Sequence, residues 1–302
     1  MPLHPDAQQN LDERAALGAR NVQELSVAEG RAQSLRLAAT APRERVPLIR
    51  ELKIPGAYGT IPLRLYYPNE NKILPIIVFF HGGGWVLGNL ETDDAVCRQW
   101  ANGVRALVVS VNYHHAPEDK FPAAAEDAYT ATRWVSEHAA EIGGDASRLA
   151  VAGKSAGGNL AAATTLMARD RGVPPIAFQL LWVPVLDHNL ETRSYHDNAE
   201  GYGLTRADMT WFWNQYLAHP SDGENPYASP LRAKDLSKLP PAFVVIAQYD
   251  PLRDEAVAYA EKLRAAGVAV ESRCFEGMIH GFVGTQALED AMRELRRALD
   301  VK

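Results

Sequence analysis

The sequence predicts an α/β fold in which a mostly parallel central sheet is flanked by helices. Short β-rich runs alternate with longer helical patterns, which is the rhythm of strand–helix–strand units with right-handed crossovers. Several runs are apolar throughout, as expected of strands buried on both faces. The 302 residues are 47% hydrophobic and 23% charged, a balance that allows one sizeable core.

The expected strands and helices follow each other in regular order. Strands are expected at 63–67, 76–80, 107–111, 149–152, 178–183, 243–248 and 268–274. Helices are expected at 123–140, 156–169, 254–266 and 286–299. A parallel sheet requires crossovers of this kind, because two parallel strands cannot be joined by a tight hairpin.

Two segments depart from this alternation. Residues 1–45 are predicted to form two helices, the second opened by a capping box at Ser26. Residues 187–229 interrupt the interval between two strands and are rich in aromatic residues, with a helix expected from a cap at Thr205 to Leu217. Long insertions in α/β domains are usually functional. We expect both segments to form a lid over the carboxyl edge of the sheet, where open α/β folds bind ligands.

Charge and composition exclude several classes of protein. Lys and Arg number 31 and Asp and Glu 37, a formal charge of −6 with no basic run to attract nucleic acid. The longest apolar run, 75–80, is far below the ~18 residues of a membrane helix, and the first residues lack the pattern of a signal peptide. We expect a cytoplasmic protein without nucleic-acid binding or membrane insertion. Cys97 and Cys274 are expected to be buried thiols, with a disulfide left open.

A serine motif follows the predicted strand at 149–152. The residues GKSAG at 153–157 fit G-x-S-x-G and open the predicted helix. In such a strand-to-helix turn a strained serine exposes its oxygen, and the glycines let neighbouring backbone pass closely. An ordinary glycine-rich turn is the alternative, which the flanking strand and helix disfavour. Ser155 is therefore the candidate nucleophile.

A glycine-rich loop, HGGGW at 81–85, directly follows the strand at 76–80. Acyl transfer requires N–H donors directed at an oxygen that becomes negative in the transition state, and glycines let the reacting centre approach the backbone. We expect the N–H groups of Gly83 and Gly84, with Gly82 as an alternative, to join that of Ala156 in an oxyanion hole.

A serine nucleophile needs a base, and the base needs an orienting acid. His280 and Asp250 each follow the end of a predicted strand, and the chain order is Ser155, Asp250, His280. Asp187 also follows a strand and is the reserve candidate for the acid. This order is that of the α/β-hydrolase triad.

Four motifs in order resemble the bacterial carboxylesterases of the hormone-sensitive-lipase-like family, within the α/β-hydrolase superfamily. They are HGGGW at 81–85, GKSAGGN at 153–159, DPLRDE at 250–255 and IHGF at 279–282. The resemblance implies an α/β-hydrolase catalytic domain (46–186 and 230–302) with a helical cap made of residues 1–45 and the insertion 187–229. It also implies hydrolysis of short- to medium-chain acyl esters by Ser155, His280 and Asp250. Members of the family often form homodimers, although no surface of this chain indicates one.

Two departures from the family pattern are present. Lys154 stands where the family usually has an acidic residue, and we expect it to pair with a nearby carboxylate and leave the reaction class unchanged. His114 and His115 stand where the family generally has Arg-Leu. Adjacent histidines offer poor chelating geometry, so altered packing is favoured over a metal site.

The sequence thus predicts a serine hydrolase of small-molecule carboxylic esters that needs neither metal nor organic cofactor. One of the aromatic residues Trp211, Phe212 and Trp213, or Trp85 beside the glycine loop, is expected to line the acyl pocket, and the three tryptophans are the preferred candidates. An amidase or peptidase on the same triad is the alternative within enzymes. A non-catalytic ligand-binding homologue and a lipase of insoluble fat are further alternatives, which the retained triad and the short chain disfavour.

Overall fold

An eight-stranded sheet forms the centre of the computed structural model, which describes residues 2–69 and 73–301. Its strands are β1 (Leu48–Gly56), β2 (Gly59–Tyr67), β3 (Leu74–Phe80), β4 (Leu107–Val111), β5 (Gly144–Lys154), β6 (Phe178–Trp182), β7 (Ala242–Tyr249) and β8 (Val270–Ile279). They lie in the order β1-β2-β4-β3-β5-β6-β7-β8. The β1–β2 and β2–β4 pairs are antiparallel and all other neighbouring pairs are parallel. The predicted mostly parallel sheet is confirmed.

Helices cover the sheet and its carboxyl edge. They are α1 (Pro5–Ala16), α2 (Val27–Ala38), α3 (Asp94–Val104), α4 (Ala123–Glu137), α5 (Ala156–Arg171), α6 (Arg193–Asp197), α7 (Arg206–Tyr216), α8 (Arg253–Ala265) and α9 (Thr285–Ala298). Over residues 2–69 and 73–301, no helix has the length and apolar character needed to cross a bilayer.

The sheet separates two hydrophobic cores, as the alternation along β3 shows. Ile76 and Val78 belong to the core that contains residues of α4 and α5. Ile77 and Phe79 belong to the opposite core with residues of α3 and α9, where the Phe79 ring meets Trp100 edge-on at 5.3 Å. A strand buried on both faces carries no polar position, which explains the apolar run at 74–80.

Strand β1 and helix α3 are absent from the sequence prediction. Strand β1 is an edge strand that exposes Arg50, Glu51 and Pro55, so it lacks an apolar run. Helix α3 buries Cys97 and Trp100, which are spaced as residues on one face of a helix. In a helix of only 11 residues this periodicity is a weak signal in the sequence.

The two cysteines differ in their surroundings. Both are free thiols, Cys97 buried and Cys274 exposed on β8. The expectation of buried thiols is therefore right for Cys97 and wrong for Cys274, because β8 lies at the edge of the sheet.

The N-terminal segment and the insertion both contact loops at the carboxyl ends of the strands. From α2, Arg31 donates to the carbonyl of Val86, after β3, at 2.9 Å and to that of Ala116, after β4, at 3.1 Å. From the insertion, the Asn198 amide donates to the carbonyl of Asp250, after β7, at 3.2 Å. The two segments thus lie above the edge where the motifs converge.

Each of these segments contains a capped helix, as predicted. Ser26 and Glu29 form a capping box on α2, and Thr205 and Asp208 form one on α7. The Thr205 hydroxyl accepts the Asp208 N–H at 2.9 Å, and the Asp208 carboxylate accepts the Thr205 N–H at 3.1 Å. Helix α7 therefore has a fixed start.

Substitution of Thr205 by Ala should destabilise the protein, because α7 loses the side-chain acceptor of its capping box. We expect the free energy of unfolding in urea to fall by about 1 kcal/mol. Thr210→Ala is the matched control: Thr210 is exposed on the same helix and bonds only to the carbonyl of Arg206. It should change the free energy by less than about 0.5 kcal/mol. Equal effects of the two substitutions would show that the cap contributes nothing specific.

Candidate active site

Ser155 lies in a strained turn between β5 and α5. Its φ of +58° is in the left-handed region that non-glycine residues rarely adopt. A Cβ on Gly153 would lie 2.0 Å from the carbonyl oxygen of Gly157, and a Cβ on Gly157 would lie 1.9 Å from that of Phe80. Only glycine fits at either position, which is the physical reason for the G-x-S-x-G spacing.

Ser155, His280 and Asp250 form one hydrogen-bonded row. The Ser155 hydroxyl lies 2.9 Å from His280 Nε2, and His280 Nδ1 lies 2.8 Å from Asp250 Oδ2. The carboxylate accepts a hydrogen bond, so Nδ1 carries the proton and Nε2 accepts from the serine. The other Asp250 oxygen accepts the N–H of Leu252 at 2.9 Å. Three residues spread over 126 positions of the sequence are thus in contact at the carboxyl ends of β5, β7 and β8.

The reserve acid lies elsewhere. Asp187 is 2.5 Å from the Arg232 guanidinium and makes no hydrogen bond to His280. Asp250 is almost fully buried with 1% of its surface exposed, and the structure pairs it with His280 as the sequence expects.

The glycine-rich loop after β3 makes a tight turn. Gly83 and Gly84 have φ of +112° and +59°, and a Cβ on Gly83 would lie 2.4 Å from the carbonyl oxygen of Leu87. The carbonyl of Gly83 accepts the N–H of Leu87 at 2.8 Å. A Cβ on Gly82 would lie 3.6 Å from Ser155 Cβ, so the loop runs directly beside the serine.

A side chain from β4's end fixes the start of this loop. The Tyr113 hydroxyl donates to the carbonyl of His81 at 2.9 Å, and the two rings stack with centroids 4.3 Å apart. His81 is fully buried, and burial lowers the pKa of its imidazole, so it packs as a neutral ring.

Lys154 forms an ion pair beside the serine. Its ammonium lies 2.5 Å from Asp93 Oδ1, and the two side chains are 23% and 5% exposed. Burial disfavours the Asp93 carboxylate, but the charge and hydrogen bond of Lys154, together with the Gly82 backbone N–H, outweigh it and hold the pKa of Asp93 below its usual value. The hypothesis that Lys154 pairs with a nearby carboxylate is confirmed.

The adjacent histidines 114 and 115 have separate partners. His114 Nδ1 lies 2.5 Å from the Asp127 carboxylate, which also accepts the His114 backbone N–H at 2.8 Å. The ring of His115 packs 5.3 Å from that of His81, and burial lowers the pKa of His115 to about 3. Both residues are accounted for by packing and hydrogen bonding, as the sequence hypothesis of altered packing expects.

A cavity of about 280 Å³ lies above Ser155. Gly82, Gly83, Gly84, Ser155 and His280 line it from the sheet side. It is also lined by Thr92, Asp93, Lys154, Ile279 and Gly281. The N-terminal segment and the insertion supply further walls, which combine apolar residues with polar and charged ones: Asn10, Arg14, Arg20, Asn21, Val22, Ser34, Leu37, Ala38, Gly203, Leu204, Asp208, Met209 and Phe212. The cavity thus joins the hydrogen-bonded row to both segments that the sequence places in a lid.

The structure corrects the expected placement of the three tryptophans. Trp85 and Trp213 are buried and Trp85 stacks on Tyr216 with centroids 4.1 Å apart, so these rings pack behind the cavity. Trp211 lies beside Phe212 at 5.3 Å and is only partly buried. None of the three lines the cavity among the described residues.

The cavity is lined instead by Phe212, a member of the aromatic group expected there, and by Met209, which was not expected. They are three residues apart on α7 and therefore share a face of the helix, and that face lines the cavity. A Cβ on Gly84 would lie 2.0 Å from the Phe212 ring, so the ring contacts the glycine loop. The spacing of residues 209 and 212 indicates that they share a face of the helix. The sequence alone does not show which face of a short helix is turned toward the cavity.

Comparisons with known proteins identify the family of the chain. A family model described as the alpha/beta hydrolase fold matches residues 77–284. The chain is 45% identical over 261 residues to Esterase LipI of Mycobacterium tuberculosis, covering 84% of this chain and 81% of the relative. It is 43% identical over 279 residues to Carboxylesterase NlhH of the same species, covering 89% and 86%. It is also similar to the crystal structure of a thermostable esterase from Pseudomonas putida, with a TM-score of 0.94, 40% identity and coverage of 100% and 99%.

The Asp93–Lys154 pair should make stability depend on pH. Because the pKa of Asp93 is lower in the folded protein than its ordinary 3.8, the stabilisation is complete above that value and is lost as pH falls through the folded pKa. Asp93→Asn leaves Lys154 unpaired, so we expect a loss of about 3 kcal/mol in the free energy of unfolding at pH 7. The difference in the free energy of unfolding between Asp93→Asn and wild type should become smaller below about pH 4.

Urea denaturation at pH 7 and pH 3 measures this difference. Asp12→Asn, at an exposed aspartate of α1, is the control and should change the free energy by less than about 0.5 kcal/mol. The double variant Asp93→Asn/Lys154→Met should recover part of the loss, because no buried charge is left unpaired. A gap between wild type and Asp93→Asn that stays constant with pH would contradict a stabilising ion pair.

Proposed function

The chain belongs to the hormone-sensitive-lipase-like carboxylesterases of the α/β-hydrolase family, serine hydrolases of carboxylic esters, and from this premise we propose that Ser155, His280 and Asp250 are its catalytic residues. The single observation that carries the proposal is the row of hydrogen bonds of 2.9 and 2.8 Å at the base of the cavity. The substrates we propose are small esters with short to medium acyl chains.

In the first half of the reaction, Ser155 Oγ attacks the ester carbonyl while His280 Nε2 accepts the serine proton. The Asp250 carboxylate keeps Nδ1 protonated and stabilises the imidazolium that forms. The tetrahedral intermediate then collapses, and the alcohol leaves with the proton from Nε2. The acyl group remains on Ser155 as an ester.

In the second half, water replaces the alcohol. His280 accepts a proton from water, the resulting hydroxide attacks the acyl carbonyl, and collapse of the second intermediate releases the acid and returns the proton to Ser155. The complete cycle consumes one ester and one water molecule and releases one alcohol and one acid.

The N–H groups of Gly83, Gly84 and Ala156 form the proposed oxyanion hole. Ala156 is the first residue of α5, so its N–H has no partner within the helix and lies at the positive end of the helix dipole. Gly82 is the weaker candidate, because its N–H acts on the Asp93 carboxylate and helps to lower the pKa of that group.

The proposed cap consists of residues 1–45 and the insertion 187–229 over a catalytic domain of residues 46–186 and 230–302. Support comes from the cavity walls, because both segments contribute to them. Met209, Phe212 and Leu204 supply apolar surface for an acyl chain, and a cavity of about 280 Å³ suits a short to medium one.

We further propose a cytoplasmic location, which two free thiols, one of them exposed, support. A homodimer stays a proposal that rests on the family resemblance. Strand β8 ends the sheet, and an edge strand is where a second copy could pair.

Ser155→Ala should abolish turnover of p-nitrophenyl esters, because no nucleophile remains. We expect kcat for the acetyl and butanoyl esters to fall on the order of 10⁵-fold or more, with initial rates followed by release of nitrophenolate. Ser147→Ala is the matched control, an exposed serine at the other end of β5, and should retain the wild-type rate. Retained turnover in Ser155→Ala would overturn the proposed nucleophile.

Gly83→Ala should remove an oxyanion donor. A side chain at φ +112° with a contact of 2.4 Å forces the loop to move, and loss of one donor costs about 10²–10³ in kcat. Gly172→Ala is the control, because Gly172 also has a positive φ, +77°, but nothing lies near its Cβ. Circular dichroism checks that both variants fold. Similar kcat values for the two would argue against Gly83 as a donor.

A further inference from the structure

Arg14 has no bonded partner in the active-site cavity. Of the described residues that line the cavity, Arg14, Arg20 and Lys154 carry a permanent positive charge. Lys154 pairs with Asp93 at 2.5 Å, and Arg20 lies 3.5 Å from the carboxylate of Glu24. Within the part of the chain that the structure describes, the Arg14 guanidinium makes neither a hydrogen bond nor an ion pair.

Asp208 is the acidic group whose charge acts on Arg14, but its oxygens accept backbone N–H groups and no hydrogen bond from the guanidinium. One oxygen accepts the N–H of Gln23 at 3.2 Å, and the other accepts the N–H of Thr205 at 3.1 Å. Burial lowers the pKa of Arg14 and Asp208 raises it in part. Asp208 therefore supplies a favourable field without a hydrogen bond to the guanidinium.

An arginine that is partly removed from water gains most from a planar anion. The guanidinium offers five N–H donors in a fixed geometry that matches both oxygens of a carboxylate. Without a hydrogen-bond partner it loses hydration, which the field of Asp208 offsets only in part. Arg14 lies in the last turn of α1, in the N-terminal segment, so a ligand that reaches it also lies under the proposed cap.

We propose that the substrate is an ester that carries a free carboxylate away from its reacting carbonyl, and that Arg14 binds this carboxylate. The inference rests on the proposed function and narrows its substrate class. Two kinds of ester have this chemistry. The carboxylate belongs to the acyl part in a monoester of a dicarboxylic acid, and to the alcohol part in an acylated hydroxy acid.

Two series of substrates distinguish these sources. For the acyl part, the monomethyl esters of succinic, glutaric and adipic acid are compared with methyl butanoate, pentanoate and hexanoate. For the alcohol part, O-butanoylglycolate is compared with ethyl butanoate. Acid release is titrated at constant pH, and the ratio of kcat/KM for the anionic ester to that for its neutral partner is measured for wild type and variants.

Arg14→Gln should lower this ratio about tenfold or more in one of the two series, the magnitude of a hydrogen-bonded charge interaction. Arg14→Lys keeps the charge but not the planar geometry and should give a smaller loss. Arg36→Gln is the matched control, because it removes the same charge from an exposed residue of α2 outside the cavity. It should leave the ratio unchanged.

The carboxylate proposal is overturned if Arg14→Gln leaves the ratio unchanged in both series. This includes the case in which kcat/KM falls equally for the anionic and the neutral esters. If Arg14→Gln does not fold, an unchanged ratio in Arg14→Lys, together with no competitive inhibition of the wild type by adipate or succinate, overturns it as well. Failure of the proposed function looks different. In that case wild type and Ser155→Ala would hydrolyse neutral p-nitrophenyl esters at the same low rate.

Discussion

The close backbone contact between the serine turn and the end of β3 is the constraint on which the site depends. Gly157 lies so near the Phe80 carbonyl that no side chain fits between them. Strands β3 and β5 are paired neighbours, so this contact is set by the register of the sheet. The glycine loop continues directly from β3. The nucleophile and the proposed oxyanion donors are therefore positioned by one rigid unit rather than by two independent loops.

Charges close to this unit are balanced in pairs. Lys154 would place a cation next to the serine, but Asp93 neutralises it at 2.5 Å. Lys154 departs from the family pattern, and its charge is compensated by the carboxylate of Asp93, which follows β3. The compensation does not come from a change in the hydrogen bonds of the proposed catalytic residues. Arg14 differs because its surroundings give it a field but no bond. Lys154 is therefore neutralised within the protein, whereas Arg14 has no hydrogen-bonded carboxylate among the described residues.

Most of the buried features were predictable from the sequence. Few of the features that depend on how helices and loops are oriented relative to one another were predictable. Apolar runs mark β3 and β4 because both faces of these strands are covered, and motif order brings Ser155, Asp250 and His280 together. Edge strand β1 lacks such a run. The error over Trp213 has another cause, since the rotation of α7 is decided by packing against the glycine loop. Trp85 lies in that loop itself and stacks on Tyr216 of α7. Pairing of Lys154 was predictable as chemistry, but its partner 61 positions away was not.

The beginning of the described chain lies beside the site. The backbone N–H of His4, which caps α1, donates to the carbonyl of Gly277 on β8 at 2.9 Å, three residues before His280. During synthesis on the ribosome, α1 therefore cannot make this contact until β8 has emerged, long after the serine turn can form. The nascent chain would carry its nucleophile without its base for about 125 residues. Hydrolytic activity should consequently begin only when nearly all of the fold is complete.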